Sequence, residues 1–154
     1  RSLHGFFFVP PEFIERMTQL MANGQLQLPP PIFADMAGEF VDLDMAAKTL
    51  TVRFPVQARY QNPMGTMQGG MIAAAVDNAI GPLSFMVAAP NVTKTMEVTY
   101  LRPIPASVAE ITVVAAFAGQ NGRELTFVAE VLRGDGAKLA TARSVNVLLK
   151  RERP

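Results

Sequence analysis

The chain has 154 residues, enough for one domain with a substantial core and too few for two. Nearly half of it is apolar (49%), 18% is charged and the net charge is +1, which leaves no electrostatic footprint for nucleic acid or an anionic membrane surface. With no cysteine and one histidine, His4, the chain cannot build thiolate or histidine-rich metal sites, Cys–His dyads or Ser–His–Asp triads.

The first residues, RSLHGFFFVPPEF, carry a short aromatic run broken at Pro10-Pro11 and do not read as a signal peptide. Residues 10–23 read as an amphipathic helix. Prolines suit its first turn, Glu12 and Glu15 lie near its start, and Phe13, Met17, Leu20 and Met21 recur at helical spacing before Gly24 stops it. LPPPIF, residues 28–33, reads as an extended linker, because consecutive prolines disfavour helix and central strand alike. Residues 39–45 and 49–56 are expected strands that turn at Ala46-Ala47-Lys48.

A helix is expected from Gly69 to about Val87, after a loop rich in Gly, Pro and Asn. Four strand-like runs follow, over residues 92–101, 108–118, 124–132 and 138–149. Asn121-Gly122 and Gly134-Asp135-Gly136 suit primed hairpin turns. In the first of these strands Val92, Met96, Val98 and Tyr100 should share one face, with Thr93, Thr95, Glu97 and Thr99 on the other. A helix apolar on nearly every side must be wrapped by a curved sheet. The expectation is an α+β domain: an antiparallel sheet of about six strands around a long central helix, with an extra N-terminal helix. Asp77-Asn78 and Gly81-Pro82 interrupt the apolar stretch 71–90 and argue against a membrane span.

The stretch NPMGTMQGGMIAAAVDNAIG, residues 62–81, raises the functional question. A buried ionised carboxylate without partners costs several kcal/mol, so Asp77 must be neutral, paired or facing a wet cleft. It is either a paired structural residue or a working carboxylate. Gly69-Gly70 likewise either tighten a loop into a helix or bare a helix N-terminus, whose unpaired N–H groups can hold a developing oxyanion. A carboxylate near such a terminus can serve as base or nucleophile.

Asn62-Pro-Met-Gly-Thr-Met-Gln-Gly-Gly70, followed after six further residues by Asp77, resembles the hotdog-fold acyl-CoA thioesterases of the phenylacetate-degradation (PaaI-like) branch. Their pattern is N-x-x-G-x-x-H-G-G with an Asp at the same distance. TKTMEVTYLRP, residues 93–103, is similar to that family's strand after the helix, which ends in an aromatic and a proline. The resemblance covers residues 40–150. It implies a thioesterase domain over 31–154, preceded by a helix and Pro-rich linker over 1–30. It also implies hydrolysis of an aryl or medium-to-long acyl-CoA to free acid and CoA, without metal or any cofactor beyond the CoA of the substrate.

Residue by residue, the resemblance has Asp77 orient or deprotonate the hydrolytic water, or attack the thioester itself. The Gly69 N–H would bind the thioester oxygen, Asn62 would lie by the reacting carbonyl, and Thr93 would hydrogen-bond the water. Gly70, Met67, Asn78 and Arg102 would contact substrate. It further implies a cytoplasmic homodimer or dimer of dimers (a homotetramer), with each site combining the Gly69 end of one chain with Asp77 of another, and no nucleic-acid or membrane partner.

One departure stands out: Gln68 replaces the family histidine, which keeps a hydrogen-bonding group and removes a protonatable one. It leaves room for an alternative, a non-catalytic acyl-CoA-binding hotdog protein. A hydratase or dehydratase reading is poor, since those relatives pair a histidine with an acid and this chain has only His4. Pro82 should kink or end the helix one turn after Asp77 and could shape an acyl tunnel. Arg102, Arg143, Lys150 and Arg151 could meet CoA phosphates, although scattered cations are commonly only solvated surface. Met64, Met67, Met71, Met86, Tyr60 and Phe33 read as core in preference to acyl-pocket wall.

Overall fold

Period-two burial builds the sheet. In the strand TLTVRFP the residues Leu50, Val52 and Phe54 are fully buried while the intervening residues are not, and the strands at 110–121 and 124–132 alternate in the same way. In a computed structural model that describes residues 11–24 and 30–150, the order is α1 (Pro11–Ala22), α2 (Pro31–Asp35), β1 (Glu39–Asp44), β2 (Thr49–Pro55), a 3₁₀ turn (Ala58–Tyr60), α3 (Gly69–Val87), β3 (Asn91–Tyr100), β4 (Glu110–Asn121), β5 (Glu124–Leu132) and β6 (Lys138–Leu148). His4, Pro10, Leu28, Pro29 and Arg151 lie outside the described residues.

The six strands form one sheet in the order β1-β2-β4-β5-β6-β3, antiparallel throughout. Its inner face closes on α3. Ala75, Val76, Ala79, Ile80 and Leu83 of the helix are fully buried, in one cluster with Val113, Phe127 and Val131. Phe33 stacks on Phe40 with ring centroids 5.0 Å apart and meets Phe54 edge-on at 6.0 Å. Each fully buried Val, Ile, Leu or Phe among these contributes roughly 1.5–3 kcal/mol. This is the expected α+β hotdog arrangement, with α3 where the Gly-Gly pair and the apolar run put it.

Several local expectations change. The linker tightens into α2, because Pro30 is its extended N-cap and Pro31 occupies the first helical position, where a missing N–H costs nothing. Met21 is 45% exposed, so among the described side chains the buried stripe of α1 is Met17 and Leu20, packed on Met86, with the Phe13 side chain outside them. Arg16 donates to the carbonyls of Phe85 and Ala88, satisfying the last turn of α3 and setting a cation at its negative end. Pro82 does not end α3, which runs on to Val87 although the Asn78 carbonyl loses its usual donor. Met64 is 86% exposed on a loop tip and is no part of the core.

The β4–β5 turn is primed, with Gly122 at φ +60°. The β5–β6 connection is a longer loop in which only Gly136 takes a positive φ, closed by the Gly136 N–H donating to Arg133 O at 2.8 Å.

Two corrections matter for function. β3 carries a bulge between Thr93 and Thr95. Thr93 pairs with the buried Asn146 and Met96 with the buried Ser144, so Thr93 faces α3 on the same side as Met96, Val98 and Tyr100. Val92, expected inward, is 49% exposed. The second correction concerns α3. It has the length and hydropathy of a membrane span, yet 44% of its apolar stretch is buried in the fold, with Ile72, Ala75, Val76, Ala79, Ile80 and Leu83 on the covered side. Gly70 and Asp77 are exposed along the other.

Candidate active site

The start of α3 is held from outside the helix. Gln68, its N-cap, is extended (φ −60°, ψ 137°) and makes no side-chain capping bond. Its backbone carbonyl accepts from the N–H groups of Met71 (2.9 Å) and Ile72 (3.1 Å). Its own N–H donates to Tyr60 O at 2.8 Å, and Met67 N–H donates to Ile104 O at 2.8 Å. Tyr60 is fixed in turn: its hydroxyl and the Arg59 guanidinium both reach Asp35, at 3.2 Å and 2.9 Å. Burial, and then the hydrogen bond to Asp35, pushes the Tyr60 phenol above its ordinary range.

These bonds leave the N–H groups of Gly69 and Gly70 with no acceptor among the described residues. No acidic side chain occupies the first turn, so the positive end of the helix dipole is uncompensated.

Asn62 shapes the loop before the helix. Its Oδ1 accepts from the N–H of Met64 (3.0 Å), the N–H of Thr66 (3.2 Å) and the Thr66 hydroxyl (3.2 Å). Only its amide nitrogen is left to meet a ligand. Beside the helix start lies an open groove of about 250 Å³ lined by Thr66, Met67, Gly69, Ile72, Tyr100 and Arg102. Met67 is almost wholly buried beneath it and Arg102 is exposed at its edge. The Gln68 side chain is exposed, with Oε1 lying over Gly70.

Asp77 lies eight residues beyond Gly69 on the uncovered side of α3. It is exposed, and Thr93 donates its hydroxyl to Oδ1 at 3.2 Å. Oδ2 has no partner among the described residues. Thus the carboxylate within the apolar run is not buried in the chain. Asn78, one residue on, donates from Nδ2 to Ala74 O at 2.8 Å and points the same group at Met36 Sδ, so its amide nitrogen is turned onto its own helix and α2.

The expected residues therefore fall into two groups. Asn62, Met67, Gln68, Gly69, Gly70 and Arg102 surround the helix start, whereas Asp77 and Thr93 stand together two turns away. At about 1.5 Å of rise per residue the two groups are roughly 12 Å apart along the helix. No single carbonyl can touch both within one chain. Among the described residues there is no group of three or more His, Asp or Glu side chains that could hold a metal ion.

Sequence reasoning missed two features. Tyr100 donates its hydroxyl to Gly69 O at 2.7 Å. A Cβ on Gly69 would lie 3.1 Å from the Tyr100 ring, so the glycine eases this close approach. Tyr100 was visible as an inward aromatic at the end of its strand, but its hydrogen bond was not. The second is a chain of buried polar groups behind Thr93. Ser144 donates to Asn146 Oδ1, Asn146 donates to Asn91 Oδ1 at 2.8 Å, and Asn91 donates to Ala89 O at 3.0 Å. Polar residues at inward positions of β6 were its only signal.

No protein-family model matches the chain, and no curated protein matches it significantly. Solved structures do. A phenylacetic acid degradation-related protein from Ralstonia eutropha JMP134 is 23% identical, with a TM-score of 0.73 over 84% of this chain and 98% of its own. The PaaI protein from the phenylacetic acid degradation operon of E. coli is 15% identical, with a TM-score of 0.74 over 90% and 94%. A thioesterase from Pseudomonas aeruginosa is 17% identical, with a TM-score of 0.71 over 91% and 95%. At these identities the likeness is one of fold.

Proposed function

We propose that the chain is an acyl-CoA thioesterase that hydrolyses an aryl or medium-to-long acyl thioester, with each site shared between two copies. One observation carries the reading: an exposed carboxylate with one oxygen held by Thr93, and, a helix segment away, two amides with no acceptor among the described residues. The similar structures add support, since the one from Pseudomonas aeruginosa is named a thioesterase.

In this reading Asp77 Oδ2 accepts a proton from water as the water oxygen attacks the thioester carbonyl carbon. Thr93 keeps Oδ1 turned away from that proton transfer. The carbonyl oxygen becomes an oxyanion and is held by the Gly69 N–H of the second copy at the positive end of its helix. The tetrahedral adduct collapses with cleavage of the C–S bond. The thiolate leaves and takes the proton from Asp77, giving acid and CoA. Gln68 and the Asn62 amide nitrogen would flank the carbonyl as neutral donors, and Arg102 would face an anionic part of the CoA moiety.

Thiol release measured across a series of acyl-CoA chain lengths and aryl-CoAs tests the reading, with turnover of at least one member as the expected result. Gln68 favours a second reading, an acyl-CoA binder without catalysis, because it stands where the resembled family has a histidine. Saturable binding of acyl-CoA with no thiol released from any member would select that reading and reject hydrolysis.

A further inference from the structure

We infer that Tyr100 is a positioning residue that orients and polarises the Gly69–Gly70 peptide, making the Gly70 N–H a second donor to the carbonyl oxygen. The inference rests on the thioesterase reading for its catalytic consequence, but its geometry stands in the isolated chain.

The Gly69 carbonyl and the Gly70 N–H belong to one planar peptide unit, so fixing the direction of one fixes the other. The Tyr100 hydroxyl donates to that carbonyl at 2.7 Å. The Gly70 N–H on the far side of the plane has no acceptor among the described residues. Donation to the oxygen draws electron density from the amide nitrogen and strengthens its N–H as a donor. Gly70 itself is exposed, and a Cβ built there would meet nothing closer than Gln68 Oε1 at 4.0 Å, so a ligand atom can reach this amide.

Tyr100 can hold this pose because its strand end is fixed: Leu101 N–H and Arg102 N–H both donate to Leu139 O, at 2.9 Å and 3.1 Å. The ring also packs closely against Gly69, where a Cβ would lie 3.1 Å from it. The Gly69-Gly70 pair thus has two distinct requirements. Gly69 admits the Tyr100 ring, and Gly70 leaves its own amide open.

Tyr100→Phe keeps the ring and removes the donor. With the best thioester from the chain-length series, kcat should fall about five- to tenfold, the effect of roughly one hydrogen bond, while KM stays within about twofold. In the free protein labelled with ¹⁵N, the Gly70 amide nitrogen should move upfield. The resonance is read without substrate, so it separates this inference from the thioesterase reading. If wild type releases no thiol, that reading fails alone, and the Gly70 resonance still decides whether the peptide is polarised. An unmoved Gly70 resonance overturns the inference whatever the kinetics, as does an unchanged kcat or a change confined to KM. Should Tyr100→Phe fail to fold, Tyr100→Leu serves, because it too removes the hydroxyl that donates to Gly69 O. Wild-type kcat in that variant would refute the role.

Discussion

The 12 Å gap along α3 makes a quantitative prediction about who owns the site. If the helix start of one copy works with Asp77 of another, two dead variants should rescue each other. Asp77→Ala removes the base, and Asn62→Ala removes the Oδ1 that organises residues 62–66 beside the other half-site. When the two are co-expressed and pair at random, roughly half the dimers are mixed. In each mixed dimer one site takes Asn62 from the first variant and Asp77 from the second and is intact, whereas the other site carries both lesions. Thiol release should therefore return to about a quarter of the wild-type rate by two-fold symmetry. Each variant is first assayed alone for residual activity and sized by chromatography. If both groups served one site within a chain, every site in the mixture would keep one lesion. Recovery no greater than the two backgrounds would refute the shared site and, with it, the use of the gap.

Four further outcomes follow from single contacts. Asp77→Asn should lower kcat by at least ~10² and leave the melting temperature within ~2 °C, since among the described residues the exposed carboxylate is hydrogen-bonded only by Thr93; near-normal turnover would remove Asp77 from the chemistry. Thr93→Val should lower kcat about two- to tenfold and Thr93→Ser should restore most of it, so equal rates in the two variants would mean that the hydroxyl is idle. Asn146→Ala strands the buried Ser144 hydroxyl and Asn91 carbonyl, a cost of about 2–4 kcal/mol that urea unfolding should register; an unchanged midpoint would show the polar chain to be dispensable. The raised Tyr60 phenol keeps its proton in the native state above pH 10.0, where the unfolded chain loses it. Stability from this group is complete below that pH and declines above it, and Tyr60→Phe should flatten the alkaline loss; a parallel decline in both proteins would contradict the assignment.

Much of this architecture is legible from residue patterns because single local rules decide it. The Gly69-Gly70 pair opens α3, and the apolar run keeps it helical to Val87 despite Pro82. Alternation marks β2 and β5, and Asn121-Gly122 sets the turn that joins β4 to β5. What escaped is set by partners distant in sequence. Thr93 reads as outward until the bulge against β6 inserts one residue and returns it to the helix side, which is what brings it to Asp77. Three prolines read as a break until one is placed at a first helical position, where its ring is harmless. Asp77 sits in a run that reads as buried, and composition alone leaves it neutral, paired or facing a cleft because it does not show which side of the helix the sheet covers. The Tyr100 bond to Gly69 joins groups 31 residues apart, and no local rule reports it.

Three features of the isolated chain fall on one side of the molecule. Among the described residues β3 is an edge strand, paired only with β6, and carries exposed Val92 and Tyr100 along its ten residues. Long edges of this kind invite pairing unless charge, bulge or cover prevents it, and here the bulge lies near one end. Beside that edge runs the uncovered side of α3, with half-buried Ala73 and Ala74 between the exposed Gly70 and Asp77. Along the same side the candidate chemistry is divided, a carboxylate at one point and open amides about 12 Å away. Separate explanations can be found for each: a tolerated edge, a thin core, an incidental aspartate. One association would answer all three: a second copy added across β3 by a two-fold axis would pair the edge, and the proposed shared site needs it to cover the helix and supply the other half-site. If that pairing sets the carboxylate of one chain against the helix start of its partner, two-fold symmetry does so twice. A monomer with full thioesterase turnover would break this argument at its root, since no rearrangement of side chains on one continuous helix brings Asp77 to the amides of Gly69 and Gly70.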